Sequence, residues 1–177
     1  MAVDKAKILH RIIEKIPMFN NLGVENAKAI LQLCELRAVQ AWDTLCRNNE
    51  QSNDMLILLS GQLGIFTGDN RQVATVEPVA LVGEIGLITG QPRPHTVRAM
   101  QQSSLLVLGK AAFDRVMRTQ GEICLRIYSN VGRTLVERLG ESAAQRAAAA
   151  GELEEMQARL RKIQEEIAAL RAGQAAP

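Results

Sequence analysis

The clearest chemical pattern in the sequence lies in residues 82–99, VGEIGLITGQPRPHTVRA. Three glycines punctuate this segment, Gly83, Gly86 and Gly90. Glycine lets the chain turn tightly and lets a ligand approach the backbone without meeting a Cβ. Arg93 stands between two prolines, and its guanidinium can hold phosphate oxygens through paired, charge-assisted hydrogen bonds. The segment therefore predicts a place where the backbone and one arginine meet an anion.

The carboxylate of Glu84 narrows the identity of that anion. The stretch from Glu84 to Ile88 is long enough for one helical turn, whose free N–H groups attract phosphate. A carboxylate beside phosphate is repulsive unless it accepts a hydrogen bond from a neutral hydroxyl, such as a ribose 2′-hydroxyl. Phosphate and ribose in one small pocket indicate a nucleotide.

These residues resemble the phosphate-binding cassette of cyclic nucleotide-binding domains. That family includes the bacterial catabolite activator and the regulatory subunit of cyclic-AMP-dependent protein kinase. The resemblance rests on Gly83–Leu87, on Pro92–Arg93 and on Thr96–Ala99, and it extends over roughly residues 5–140. The motif is far more specific than an isolated glycine pattern.

The resemblance implies a role for each cassette residue. Gly83 and Glu84 would engage the ribose and the cassette turn, and the amides around Ile85 and Gly86 would face the cyclic phosphate. Arg93 would pair with that phosphate. The ligand implied is cyclic AMP, with cyclic GMP also open. The expected ligand-binding residues are Val82, Gly83, Glu84, Ile85, Gly86, Arg93, Pro94, His95, Thr96 and Arg138.

Two of these positions depart from the family pattern. The residue after the arginine usually supplies a backbone N–H to the phosphate, but here it is Pro94, which has none. The ligand loses one donor unless His95 or Thr96 replaces it. Arg138 falls near the position that often touches the base, where the usual hydroxyl is absent. Base stacking and a solvated surface arginine both stay open for Arg138, as does a plain Gly/Pro-rich loop for the whole segment.

Short strands must hold this segment in place. From residue 36 to residue 108, apolar runs alternate with turn residues such as Ser60-Gly61. The expected strands are 36–40, 44–47, 55–59, 62–67, 72–77, 80–82, 96–100 and 104–108. Many short strands are typical of a β-sandwich or β-barrel. The resemblance implies an α+β, mainly β fold: an eight-stranded antiparallel β-roll, jelly-roll-like, with N-terminal helices and a long C-terminal dimerisation helix or coiled coil.

Helical spacing of apolar residues flanks the strands on both sides. Residues 4–16 predict a helix with Asp4 as its N-cap, and a second helix is expected from Val24 to Leu33. After the strands, helices are expected over 110–118 and 122–150.

The C-terminal part of the chain predicts a coiled coil. Alanines dominate 143–150, and Gly151 is a candidate hinge. Beyond it, apolar residues alternate at spacings of three and four, which is an a/d seam: Leu153, Met156, Leu160, Ile163, Ile167 and Leu170. A second copy of the chain is the simplest partner, and an amphipathic helix folded back on its own domain is the alternative. The expected domains are 1–140 for the nucleotide-binding domain, 141–151 for an Ala-rich helical linker and 152–172 for a coiled-coil dimerisation segment.

Two residues stand where family members often have glycine, Trp42 and Asn49. Asparagine tolerates the left-handed backbone conformation. Tryptophan does not adopt it easily, so we expect Trp42 to repack locally rather than to stack on a base.

Composition limits the partners. With 47% apolar but only 3% aromatic residues, the chain predicts an aliphatic core in a domain with an appendage. A net charge of +2 is too small to indicate nucleic acid, and no recognition helix follows the long helix, so we expect no DNA partner. Scattered cysteines at 34, 46 and 124, without a signal sequence or a membrane span, indicate a soluble cytoplasmic protein with reduced thiols.

Catalysis has little support in the sequence. The two histidines, His10 and His95, fall on different elements and cannot form a His-rich metal site. Reversible binding of a cyclic nucleotide, read by a partner protein through the dimer helix, is the predicted function. The alternatives are a degenerate dimeric scaffold and a binder of cyclic GMP or a cyclic dinucleotide.

Overall fold

The computed structural model describes residues 5–51 and 53–174. Two helices come first, α1 (Lys5–Lys15) and α2 (Val24–Leu31), with a 3-10 turn at Pro17–Phe19 between them. The strands are β1 (Glu35–Val39), β2 (Thr44–Cys46), β3 (Asp54–Ser60), β4 (Leu63–Phe66), β5 (Gln72–Val76), β6 (Ala80–Val82), β7 (Thr96–Ala99) and β8 (Ser103–Gly109). The remaining helices are α3 (Glu84–Thr89), which lies between β6 and β7, α4 (Lys110–Thr119) and α5 (Gly121–Gln174).

The strands form two four-stranded antiparallel sheets, ordered β1-β8-β3-β6 and β2-β7-β4-β5. Each predicted strand is present, with ends that differ from the prediction by one residue at most. The predicted mainly β, eight-stranded antiparallel fold with flanking helices is therefore confirmed.

Aliphatic side chains from both sheets meet between them. Leu56 and Leu58 of β3 and Val97 of β7 are buried there, and Val82 of β6 packs against them. Because successive strand residues point to opposite faces, the inward-facing positions are every second residue. The core thus continues along each strand toward the loops that carry the cassette.

The first turns of α5 anchor the N-terminal segment. Ile123 and Ile127 are buried on this helix. Asn130 Nδ2 donates to the carbonyls of Met18 at 3.1 Å and Asn20 at 2.6 Å. A side-chain amide in this place satisfies backbone carbonyls that would otherwise be buried without partners. The predicted N-cap Asp4 lies outside the described residues, and α2 ends two residues before the predicted Leu33.

The chain divides into two compact units between Gly132 and Arg133. In the second unit, Val136 and Leu139 are each 69% exposed and Met156 is 63% exposed. The predicted hinge at Gly151 is wrong, because α5 continues through it as regular helix. One glycine costs a helix only about 1 kcal/mol, which its neighbours can supply. The predicted seam side chains Leu153, Leu160, Ile163, Ile167 and Leu170 lie outside the described side chains, so the coiled coil and the domain bounds stay predictions.

The turn between β1 and β2 corrects the expectation for Trp42. Its backbone adopts the left-handed conformation typical of glycine (φ 71°). Its side chain is 65% exposed and therefore does not pack into the core. Hydrogen bonds fix this turn: Trp42 N donates to Ala99 O at 2.7 Å, and Ala99 N donates to Asp43 O at 2.9 Å. Asn49 is left-handed as expected (φ 61°). The described helices include none long and apolar enough to cross a membrane.

Candidate functional site

Helix α3 is bounded by two glycines with positive φ. Gly83 precedes it at φ 93°, and Gly90 follows it at φ 73°. The first helical hydrogen bond runs from Leu87 N to Gly83 O at 3.1 Å, so the amides of Ile85 and Gly86 lie ahead of it at the N-terminal end. The predicted single helical turn is present.

Arg93 lies against the start of this helix. The residue is only 4% exposed, and its Nη2 donates to both the carbonyl and the carboxylate Oδ1 of Asp54, each at 2.5 Å. A Cβ placed on Gly83 would stand 1.8 Å from Arg93 Nη1. Only glycine at position 83 leaves room for the guanidinium, which explains why this position needs glycine for space as well as for its φ.

Residues 91–95 join α3 to β7, and we call this segment the Arg93 arm. The loop between β2 and β3 binds it through backbone hydrogen bonds. Arg93 N donates to Glu50 O and Asn49 N donates to Arg93 O, each at 2.8 Å. These two bonds continue the pairing of β2 with β7 beyond the last residues of the strands. The arginine is thus fixed through its backbone as well as its side chain.

Asn48 holds the tip of the same arm. Its Nδ2 donates to Pro94 O at 2.6 Å, and its backbone N donates to Thr96 Oγ1 at 3.0 Å. Farther back, Gln51 Nε2 donates to Gly90 O at 3.0 Å. The proline that removes a backbone donor is therefore held through its carbonyl.

The inner face of the roll becomes polar next to the arm. Leu56 lies in the core, so strand alternation places Asp54 on the same inner face of β3. His95 lies in the bend that directly precedes β7. The thiol of Cys46 lies 3.9 Å from His95 O. Burial raises the pKa of this thiol, and the positive charge of Arg93 partly offsets the rise.

Among the described side chains, two buried nitrogens lack a hydrogen-bond partner: Arg93 Nη1 and His95 Nδ1. A buried donor or acceptor without a partner costs roughly 1–3 kcal/mol. Both of these nitrogens belong to the three-residue stretch 93–95. Glu84, at the start of α3, is also buried and lies close by in sequence. A cationic donor, an imidazole and the N-terminal amides of a short helix together suit an anionic ligand with a neutral hydroxyl.

Two of the predicted site residues meet in the structure, and most of the others are their neighbours in the chain. Gly83 and Arg93 are in direct contact, and the Arg93 arm carries His95. Arg138 belongs to the second unit, where it is exposed on α5.

Sequence reasoning did not single out Asp54, Asn48 or Lys110. Lys110 Nζ donates to Leu87 O at 3.0 Å in the last turn of α3 and to Asp114 at 3.2 Å. Asn48 and Asp54 lie between the predicted strands 44–47 and 55–59, and nothing in their spacing indicated which polar residues would face Arg93.

The comparison with protein families agrees with this geometry. Residues 36–120 match the family model of the cyclic nucleotide-binding domain. This part of the chain is a cyclic nucleotide-binding domain. The match includes every strand except the first residue of β1, together with α3, the Arg93 arm and α4.

Relatives of this domain occur in larger proteins. A cyclic nucleotide-gated potassium channel of Mesorhizobium japonicum is 30% identical over 134 residues, which are 76% of this chain and 36% of the channel. A Rhizobium etli channel of the same kind is 29% identical, with 35% of its length covered. The chain therefore spans about a third of the length of these relatives.

Solved structures share the fold. The catabolite activator protein of Thermus thermophilus superposes with a TM-score of 0.64 at 21% identity, covering 73% of this chain and 61% of that one. The regulatory domain of Toxoplasma gondii cyclic-AMP-dependent protein kinase, solved with cyclic AMP, gives a TM-score of 0.58 at 25% identity, covering 64% and 46%. The cyclic nucleotide-binding domain of this chain has the same architecture as both.

Proposed function

We propose that this domain is a receptor for a cyclic nucleotide, with cyclic AMP as the first candidate and cyclic GMP as the second. One observation carries the proposal: Arg93 is buried, and its Nη1 lacks a partner beside the Gly83 backbone. A buried guanidinium N–H without an acceptor is costly, and a phosphate oxygen is the acceptor that suits it best. A receptor role needs no catalytic group.

The surrounding residues supply the other contacts of the proposed complex. The amides of Ile85 and Gly86 would donate to the cyclic phosphate, and Val82 and Gly83 would border it. Glu84 would accept the ribose 2′-hydroxyl. Asp54 would keep its hydrogen bond to Nη2 while Nη1 binds phosphate, so the arginine binds its ligand in the orientation it already has.

The helices would transmit the presence of a bound ligand to the rest of the chain. Lys110 ties the last turn of α3 to the first turn of α4 through Leu87 O. A shift of α3 toward a bound phosphate would therefore pull on α4 and change the population of helix arrangements. The response would pass to a partner protein through a homodimer, for which the exposed Val136 and Leu139 of α5 provide apolar surface. We place this receptor in the cytoplasm.

The decisive experiment is calorimetric titration of the whole chain with cyclic AMP and cyclic GMP. We expect a dissociation constant of about 1 µM or tighter, which corresponds to roughly 8 kcal/mol. Arg93→Ala should abolish binding, whereas Arg115→Ala, which removes an exposed arginine of α4, should not. Absence of heat with folded, ligand-free protein would refute the receptor.

Two further experiments test the proposed ribose contact and the proposed dimer. Glu84→Gln should weaken the binding of cyclic AMP more than the binding of its 2′-deoxy analogue, because only cyclic AMP has the 2′-hydroxyl. Sedimentation should give twice the chain mass, and the paired change Leu160→Glu with Ile163→Glu should give the monomer. A monomeric wild type would remove the dimer from the proposal and leave nucleotide binding intact.

A second candidate is a dimeric interaction scaffold whose site has degenerated. Pro94 favours it, because the ligand loses a backbone donor there. The same titrations, with a cyclic dinucleotide added as a third ligand, decide between the two. A scaffold would stay dimeric and would bind none of the three ligands.

A further inference from the structure

The Arg93 arm carries a second unsatisfied buried nitrogen whose place in the sequence is informative. His95 Nδ1 is buried without a partner, one residue after the proline that lacks an N–H. We propose that the imidazole of His95 is a ligand-binding group that supplies, from its Nδ1, the phosphate donor that Pro94 cannot provide. This inference rests on the proposed nucleotide receptor and adds a contact to it.

The position of the arm supports the assignment. His95 lies on the same arm as Arg93, and the thiol of the core residue Cys46 lies 3.9 Å from His95 O. Asp54, which holds Arg93, lies on the inner side of the facing strand β3. Arg93 and His95 are therefore two residues apart on an arm that borders the core, and we expect one ligand to satisfy both unpaired nitrogens.

The arm is also held well enough to aim a side chain. Arg93 is bonded to the β2–β3 loop through both its N–H and its carbonyl. Asn48 bonds Pro94 O and Thr96 Oγ1, the residues on either side of His95. A donor fixed at both flanks loses little conformational entropy when it meets its acceptor.

The chemistry of imidazole fits the role. A neutral imidazole carries one N–H, and the tautomer with hydrogen on Nδ1 can donate to an equatorial phosphate oxygen while the other nitrogen stays an acceptor. Without ligand, the buried Nδ1 is left unpaired, which is the situation in this structure. The charged residues next to the arm are Arg93 itself, Glu50 in the β2–β3 loop, whose carbonyl accepts from Arg93 N, and Asp54 on β3, which pairs with Arg93.

Substitutions at position 95 separate a donor from a space-filling ring. An asparagine amide nitrogen occupies nearly the position of Nδ1, whereas a glutamine amide reaches the position of Nε2. We expect His95→Ala to lower the affinity for cyclic AMP about tenfold, as the loss of one hydrogen bond to a charged group does. His95→Asn should recover most of that loss, and His95→Gln should recover little.

Restoring the backbone donor gives an independent test. Pro94→Ala returns an N–H to the arm, so His95→Ala should cost clearly less affinity in that background than in the wild type. Such non-additivity is expected if the two groups serve the same acceptor. His10→Ala is the matched control, because His10 is the other histidine of the chain and its side chain is 73% exposed on α1.

Nitrogen NMR of the histidine-labelled wild type reads the same contact without any substitution in the site. With two histidines in the chain, the His10→Ala spectrum assigns the His95 signals. Cyclic AMP should shift the Nδ1 resonance of His95 toward the protonated, hydrogen-bonded range, a change that a merely structural ring would not show.

The outcomes are distinguishable. If the wild type binds neither cyclic AMP nor cyclic GMP, the receptor itself is refuted and this contact with it. If the wild type binds but His95→Ala binds equally well, or Asn is no better than Ala, or the Nδ1 resonance does not move, the receptor stands and the role of His95 is refuted. Should His95→Ala unfold, the NMR measurement on the wild type still decides.

Discussion

Gly83 and Arg93 are in direct contact: a Cβ on Gly83 would lie 1.8 Å from Arg93 Nη1 and 2.8 Å from its Cζ. The contact joins the start of α3 to the arm that follows it. The backbone of Gly83 and the buried guanidinium of Arg93 are therefore packed together, and a change in one displaces the other.

Gly83→Ala should be the most damaging single change in the site. The new methyl group would displace the guanidinium and would sit on a backbone at φ 93°, which strains any residue with a Cβ. We expect loss of cyclic nucleotide binding and a free energy of unfolding lower by about 2 kcal/mol. Calorimetry and urea denaturation measure the two effects, and Gly121→Ala, where no atom lies within 4 Å of the new Cβ, is the control. Binding retained by Gly83→Ala would contradict this geometry.

Asp54→Ala should lower nucleotide affinity by about tenfold, because it removes the carboxylate that orients Arg93. The backbone carbonyl of Asp54 still holds Nη2, so affinity should fall less than in Arg93→Ala. Titration with cyclic AMP measures this, with Asp69→Ala in the exposed β4–β5 turn as the control. An increase in affinity would mean that Asp54 competes with the ligand for Arg93 rather than positioning it.

Asn48→Ala should weaken binding by about three- to tenfold while leaving the fold intact, because the Pro94 carbonyl loses its donor and the arm becomes looser. Amide hydrogen exchange at Arg93 and Thr96 should become faster in the ligand-free variant. Asn53→Ala removes an exposed asparagine from the same loop and should change neither quantity. Unaltered exchange in Asn48→Ala would show that the backbone bonds of residues 49 and 50 suffice.

Cys34 should resist alkylation in the folded protein. Burial raises the pKa of its thiol from 9.0 to about 12, so little of the reactive thiolate exists at pH 8. Iodoacetamide followed by peptide mass mapping should find Cys34 unmodified in buffer and modified in urea. Equal labelling rates in the two solvents would contradict this burial.

The same shift has a consequence for stability. Above pH 9 the unfolded thiol ionises while the folded one stays neutral, so this contribution to stability is present below pH 9 and is lost as the pH rises toward about 12. Urea denaturation of wild type and Cys34→Ala at pH 8 and at pH 10.5 measures it. The variant should lose less stability between the two pH values than the wild type.

Local rules predicted the elements well because each element is short and its pattern is regular. The strands and α3 followed from apolar spacing, turn residues and glycine positions. The errors occurred where local rules were overridden. Gly151 does not break α5, and Trp42 adopts a glycine-like conformation because the turn around it is fixed by bonds to Ala99.

The sequence by itself predicted that one segment with three glycines and an arginine would meet an anion, and it determined the strands that flank this segment. Tertiary structure decided how that arginine is held. Asp54 lies 39 residues before Arg93 in the chain, and Asn48 lies 46 residues before Pro94. Contacts at such separations depend on which strands pair and in which register, and a single polar residue in a loop carries no local signal of its partner. That Arg93 Nη1 and His95 Nδ1 are buried without a partner is a property of the folded structure and could not be predicted from the sequence.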